Sequence, residues 1–187
     1  GITLNSSSQL IVGGSFTGTA QFGSQTLTTT GSSQYSDMFV ASLDNRGGVN
    51  WVQQITGDNN NWLYDLAIDS ANDIFFSGTF ASPITLATST LTTRGSVDAL
   101  LAKLDSSGNP LWALSGGSSS YDYAYGLSVD SNGTLAAHGV FAGRAKFGDL
   151  KTTSQGANDA FFPSVTSDGQ FSWLNSGGSR LGDAARR

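Results

Sequence analysis

The stretch Asp98-ALLAKLDSSGNPL-Trp112 decides the architecture, because the chain writes it three times. Asp37-MFVASLDNRGGVN-Trp51 and Asp159-AFFPSVTSDGQFS-Trp173 align with it without a gap, and both the aspartates and the tryptophans fall 61 residues apart. A repeat of this length is the signature of stacked supersecondary units, each unable to bury its apolar faces alone. Within the stretch, a short apolar run, a Gly-containing turn and a second run ending on Trp describe a tight β-hairpin. The turns DNRGG, DSSGN and TSDGQ each carry the glycine that supplies positive φ.

Working outward, the strand opening each copy is Gly1-ITL, Asp65-LAI and Gly126-LSV, with the alternation of a half-buried strand. The turns that follow are led by Asn5, Asp69 and Asp130, whose short side chains can accept backbone N–H groups about two residues on. A second strand then ends in Gly-x-Phe at Gly14, Gly78 and Gly139, where a fixed strand glycine predicts a bulge or a close backbone approach. From that Phe to the next aspartate the first copy spends 21 residues and the others 18, an insertion expected at an exposed hairpin tip. The expectation is an all-β chain of three repeats, 1–64, 65–125 and 126–187, each a four- to five-stranded antiparallel β-propeller blade within a single domain.

Composition agrees. Charged residues are 12%, against roughly 25% in ordinary globular chains, and all 14 acidic residues are Asp. The 24 glycines, with abundant Ser, Thr and Asn, favour turns and strands over helix. At 38% hydrophobic and 11% aromatic the chain can build a core. The net charge is −5 with scattered Lys and Arg, so nucleic acid is not expected as a partner. No apolar run reaches membrane-spanning length, and no signal peptide is recognisable. The lack of Cys excludes disulfides and thiolate metal sites. Low charge, high Ser/Thr/Asn and no Cys suit an extracellular or bacterial cell-surface protein.

The phrases Tyr121-DYAYGLSVDSNGTL, Gly139-VF and Asp98-ALLAKLDSSGNPLW resemble the bacterial β-propeller repeat called SBBP, across the whole chain in three copies. The resemblance implies a propeller, usually in exported or surface-attached proteins, and transfers no catalytic residue. The third copy departs at Thr166, where the others have Asp44 and Asp105, and at Pro163, which predicts an edge or a bulge. Three blades are too few to close a ring of the usual four to eight. Arg187 falls where a fourth copy would open, and neither end carries a capping segment. Additional blades are therefore expected, from another chain or a longer parent.

Little in the sequence suggests catalysis. His138 stands where the other copies have Gly13 and Ser77, with no nucleophile elbow nearby. It has no second His or Cys for a metal site, and the hairpin turns hold too few carboxylates for calcium, so no cofactor or metal is expected. Asp37, Asp98 and Asp159 are expected to accept N–H bonds from the preceding turn. The repeat tryptophans are expected to pack between blades. The candidate ligand site is the connection between blades: Gly57-DNNNWLYD, Gly116-GSSSYDYAYG and Gly177-GSRLGDAAR. There Asn61, Trp62, Tyr121, Asp122, Tyr123 and Asp183 set aromatic faces beside short polar side chains, which suits stacking on sugars. The alternative is that the aromatics fill gaps and the Asp caps a turn. The sequence thus points to a non-enzymatic recognition or scaffolding module with a protein or glycan partner at its loop rim. A glycan-binding lectin is the runner-up. A propeller hydrolase or lyase is disfavoured, because with no Glu its acid/base pair would have to be two Asp.

Overall fold

A computed structural model of the chain describes residues 1–183, which are all-β: antiparallel strands in several sheets, with no helix among the described residues. Arg187 lies outside them. The first unit runs β1 (Ile2–Leu4), β2 (Leu10–Thr17), β3 (Thr19–Phe22), β4 (Gln25–Thr28), β5 (Ser36–Leu43) and β6 (Val49–Ile55). The second runs β7 (Asn61–Ile68), β8 (Ile74–Phe80), β9 (Ile84–Leu86), β10 (Ser89–Leu91), β11 (Asp98–Leu104) and β12 (Pro110–Gly117). The third runs β13 (Tyr123–Val129), β14 (Leu135–Phe141), β15 (Arg144–Phe147), β16 (Leu150–Thr153), β17 (Asp159–Val165) and β18 (Phe171–Gly177). Each unit is a four-stranded meander, ordered β1-β2-β5-β6 in the first and likewise in the others, with a small hairpin between its second and third long strands. The hairpins stand between units. β15 pairs with β12 of the preceding unit, Gly116 opposite Phe147, while β16 touches β18 of its own.

The middle unit shows why the units stack. Every residue of β8 and β11 is buried. By the two-residue period of a strand, Phe76, Leu100, Ala102 and Leu104 pack toward the first unit, where they meet Ile11, Met38 and Val40. Phe75, Ala99 and Leu101 pack toward the third, against Leu135, Phe141 and Phe161. Where no unit precedes, the same positions are open. Ile2 is 67% exposed, whereas its repeat counterpart Leu66 is 6% exposed.

The turns between first and second strands form as the sequence predicts. Asn5 Oδ1 accepts the N–H of Ser7 and Gln9; Asp69 Oδ1 accepts those of Ala71 and Asp73; Asp130 Oδ1 accepts those of Asn132 and Thr134. The strand glycines are explained too. β7 and β13 bulge at Tyr64 and Tyr125, opposite Gly78 and Gly139. A Cβ on Gly78 would strike the carbonyl oxygen of Trp62, and one on Gly139 that of Tyr123.

Three sequence expectations change. The inter-unit connection is shorter than expected, because β7 and β13 begin at Asn61 and Tyr123, upstream of Asp65 and Gly126. The insertion in the first unit is not at the hairpin tip. All three tips are two residues long, and the extra residues fall between Gly31 and Asp37, in the return loop that carries exposed Tyr35. Pro163 lies in a central strand, not at an edge. Lacking an N–H, it leaves the β14–β17 ladder interrupted between Ala136↔Ser164 and Gly139↔Phe161, where the other two units are continuous.

The tryptophans lock one unit to the next. The Trp51 ring lies under Gly108, and the Trp112 ring under Gly169, each a turn glycine of the following unit with φ of +86° or +83°. A Cβ on either glycine would come within 2.8 Å of the indole. Trp112 is half-buried rather than enclosed, meets Phe75 edge-on at 6.0 Å, and donates its Nε1–H to Ser167 O at 3.1 Å. Trp173, with no turn above it, is 47% exposed. Trp112→Ala should therefore destabilise by about 2–3 kcal/mol, below the full cost of an enclosed Trp, and Trp173→Ala by under about 1 kcal/mol. Denaturant melts that rank the two variants the other way would refute this account of the lock.

Candidate functional site

The connections between units are organised by buried carboxylates. Asp37, Asp98 and Asp159 are at most 2% exposed. As expected, each accepts an N–H from the loop before it: Thr30 at 3.2 Å, Arg94 at 3.1 Å and Gln155 at 2.9 Å. A second acidic position follows. Asp122 Oδ2 accepts the Ser118 N–H at 2.7 Å, and Asp183 Oδ2 accepts that of Ser179 at 2.6 Å. Their own N–H groups donate to Val97 O and Asn158 O, tying each connection to the loop of the unit it leaves. Asn61 holds the equivalent place at the first junction, its Nδ2 donating to Asn59 O.

At the second junction two carboxylates are close. A Cβ on Gly117 would lie 2.8 Å from Asp98 Cγ and from Asp122 Oδ2. Burial raises the pKa of Asp98, against the lowering effect of its N–H bonds and of Arg94. Burial also pushes Asp122 up to about 6, with the Asp98 charge adding to the rise.

The six candidate residues separate on this geometry. Trp62, Tyr121, Tyr123 and Asp183 line open clefts, whereas Asn61 and Asp122 are fully buried and line neither. The side chains of those two hold the connection together instead of facing the rim, which corrects the expectation that all six present to a ligand. One cleft, 310 Å³, lies against Asn60, Trp62, Val97, Tyr121 and Tyr123. The next, 350 Å³, lies against Tyr121, Tyr123, Tyr125, Asn158 and Asp183. They are repeats of one another: Asn60 and Trp62 in the first become Tyr121 and Tyr123 in the second. Tyr121, 54% exposed, stands on the ridge between them.

Sequence reasoning missed Tyr64 and Tyr125, although they too are 61 residues apart. As bulge residues they turn their rings together, at 5.3 Å, and Tyr125 stacks flat on Tyr123 at 5.6 Å. Burial, reinforced by Tyr125 and Tyr123, pushes the Tyr64 phenol up to about 12, so it stays a neutral hydrogen-bonding group. Lys103 was missed as well. Only 7% exposed, it reaches Asp73 at 2.9 Å and Asp69 at 3.8 Å over the Phe75 ring, where the other copies carry Ser42 and Ser164. His138 is half-buried in β14 beside Gly126. Among the described residues no group of three His, Cys, Asp or Glu side chains could hold a metal ion, and no helix is long and apolar enough to cross a membrane.

No protein-family model matches the chain. It is similar to an uncharacterized WD repeat-containing protein of Acanthamoeba polyphaga mimivirus, 28% identical over 110 residues, an alignment that takes in 55% of this chain and 8% of that relative. The similarity is to a protein built of repeats, and the chain matches only a small part of its length.

The raised Asp122 pKa has a definite sign in stability. The folded state holds a proton on this group more tightly than the unfolded chain, so its stabilising contribution is full below the usual 3.8 and is lost as pH rises through about 6. Stability should fall by on the order of 2 kcal/mol across that window. Asp122→Asn, the residue found at the equivalent Asn61, should flatten the dependence. Melts at a series of pH values check this, and an unchanged profile in the variant would place the titration elsewhere.

Proposed function

We propose that the three units are blades of a β-propeller of the bacterial repeat type, working outside the cell or on its surface as a non-enzymatic recognition module. The ligand proposed for its rim is a glycan. The supporting observation is that one aromatic cleft is built twice from repeat-equivalent residues, with the exposed Tyr121 serving both. Flat phenol and indole faces offer stacking surface to pyranose rings. Asn60, Asn158 and Asp183 supply short polar groups beside them for hydroxyls. Two adjacent clefts suit successive sugars of a chain, where two weak contacts reinforce one another.

Asp183 is the one carboxylate among the described residues that lines an aromatic cleft, so no carboxylate pair faces a bound sugar. Asp98 and Asp122 lie behind Gly117, and neither lines an aromatic cleft. This favours binding over bond cleavage. If the reading is right, a glycan array should find ligands for the protein, and Tyr121→Ala should abolish binding by removing stacking from both clefts. Tyr35→Ala, at an exposed tyrosine of the first unit, should leave binding intact. A bound glycan indifferent to Tyr121→Ala would sink the assignment of this site.

The propeller reading also asks for more blades. Trp173 is exposed where Trp51 and Trp112 each carry the turn glycine of a following unit, and Phe162 beside it is 40% exposed. At the other end Ile2 and Leu4 are 67% and 59% exposed. Apolar blade faces of this kind are covered by neighbouring blades, in the same chain or from a second copy. Light scattering on this chain should therefore report self-association, and a stable 19.4 kDa monomer would refute it.

A further inference from the structure

Four cations, three on one hairpin and one from the preceding unit, converge on one cleft. Arg94, Arg144, Lys146 and Lys151 line a 380 Å³ depression between the third unit's hairpin, β15–β16, and the connection out of the second unit. Hydroxyl-bearing Ser118, Ser119, Thr152 and Thr153 line it with them. Arg94, Arg144 and Lys151 are exposed, and Lys146 is half-buried. The acids nearby balance only part of this charge. Asp149 reaches Lys146 at 3.4 Å, and Asp98, buried with Asp122 behind Gly117, feels Arg94, while Arg144 and Lys151 form no ion pair among the described residues.

The repeat shows that the fold does not require this charge. The counterparts of Arg144 are Thr19 and Pro83; those of Lys146 are Gln21 and Thr85; those of Lys151 are Thr26 and Thr90; those of Arg94 are Thr30 and Gln155. Every one is uncharged. In the second unit the cross-strand pair Thr85–Thr90 shares a hydrogen bond of 3.1 Å. In the third, the same pair is Lys146 directly opposite Lys151. Like charges facing across a ladder are destabilising, so the hairpin gives up a favourable pair for a repulsive one. An anion seated between them would reverse the sign.

We propose that this cleft binds the anionic group of an acidic polysaccharide, a carboxylate or a sulfate, with the serine and threonine hydroxyls meeting the sugar. The site is separate from the aromatic clefts and stands whether or not they bind glycan. A nucleic acid is a poorer fit: the cations occupy one short depression instead of a track, and the whole chain, these cations included, carries a net charge of −5.

Calorimetry against polygalacturonate, dextran sulfate, neutral dextran and a single-stranded oligonucleotide tests the proposal. At least one of the two acidic polymers should bind, and the tighter of them identifies the anionic group. The double variant Arg144→Gln/Lys151→Gln should lose about tenfold or more in affinity and show a shallower salt dependence. Arg46→Gln, in a turn of the first unit, should bind normally, and Asp149→Asn should bind more tightly. In melts without ligand, Lys151→Thr, which restores the second unit's residue, should raise the melting temperature. The proposal is overturned if neither acidic polymer binds, if neutral dextran binds equally well, or if the double variant binds as the parent does. It is also overturned if the oligonucleotide binds more tightly than both polymers, or if Lys151→Thr lowers the melting temperature.

Discussion

Everything in this structure depends on a sheet with two apolar faces. A four-stranded antiparallel unit normally keeps one face wet, and its strands then alternate apolar with polar residues. Here Phe75 and Phe76, adjacent in β8, point to opposite sides and are both fully buried. That is possible only if a further unit lies on each side. The stacking is therefore a condition of the middle unit's stability, and the side chains on β8 and β11 enforce it.

Apolar contact alone would let the units slide, and polar ties at both ends of the strands fix their register. At one end, indole rings lie under turn glycines whose missing Cβ makes room for them. Within the second unit, Lys103 draws Asp69 and Asp73 together over Phe75, an ion pair that ties this unit to itself. At the other end, buried Asp37 and Asp122 accept the N–H groups of Gly57 and Ser118, in the connections that join the units. Burying carboxylates is costly unless their oxygens are hydrogen-bonded. Asp122 meets that condition through Ser118 and Ala142, while one oxygen of Asp98 has no partner. Their raised pKa values come from burial, against which these hydrogen bonds act.

The same construction explains where recognition can reside. Positions that hold units together recur in every copy, as Asp37, Asp98 and Asp159 do. Positions free of that duty can diverge, and they do so on the small hairpins and at the start of the first long strand. A bulge at Tyr64 and Tyr125 lets those tyrosines face each other across a unit boundary. The hairpin of the third unit carries lysines where its counterpart carries threonines. Surface chemistry is thus varied on a frame whose packing is held constant.

Much of this was legible before any coordinates. Strand order, turn chemistry, the special place of Gly78 and Gly139 and the packing role of the tryptophans all follow from local rules applied to a 61-residue repeat. Such features depend on neighbours in sequence, or on the same position one repeat away, and both are visible in a linear text. What the sequence could not specify is which side of a strand start faces solvent. Asn61 and Trp62 are adjacent, yet one is sealed inside the junction and the other lines a cleft. Nor could it show that Arg94 meets Arg144 and Lys151, about fifty residues away, because that depends on a hairpin folding back against the preceding unit. Local periodicity determined the frame, and only the stacking of one unit on the next decided which side chains share a surface.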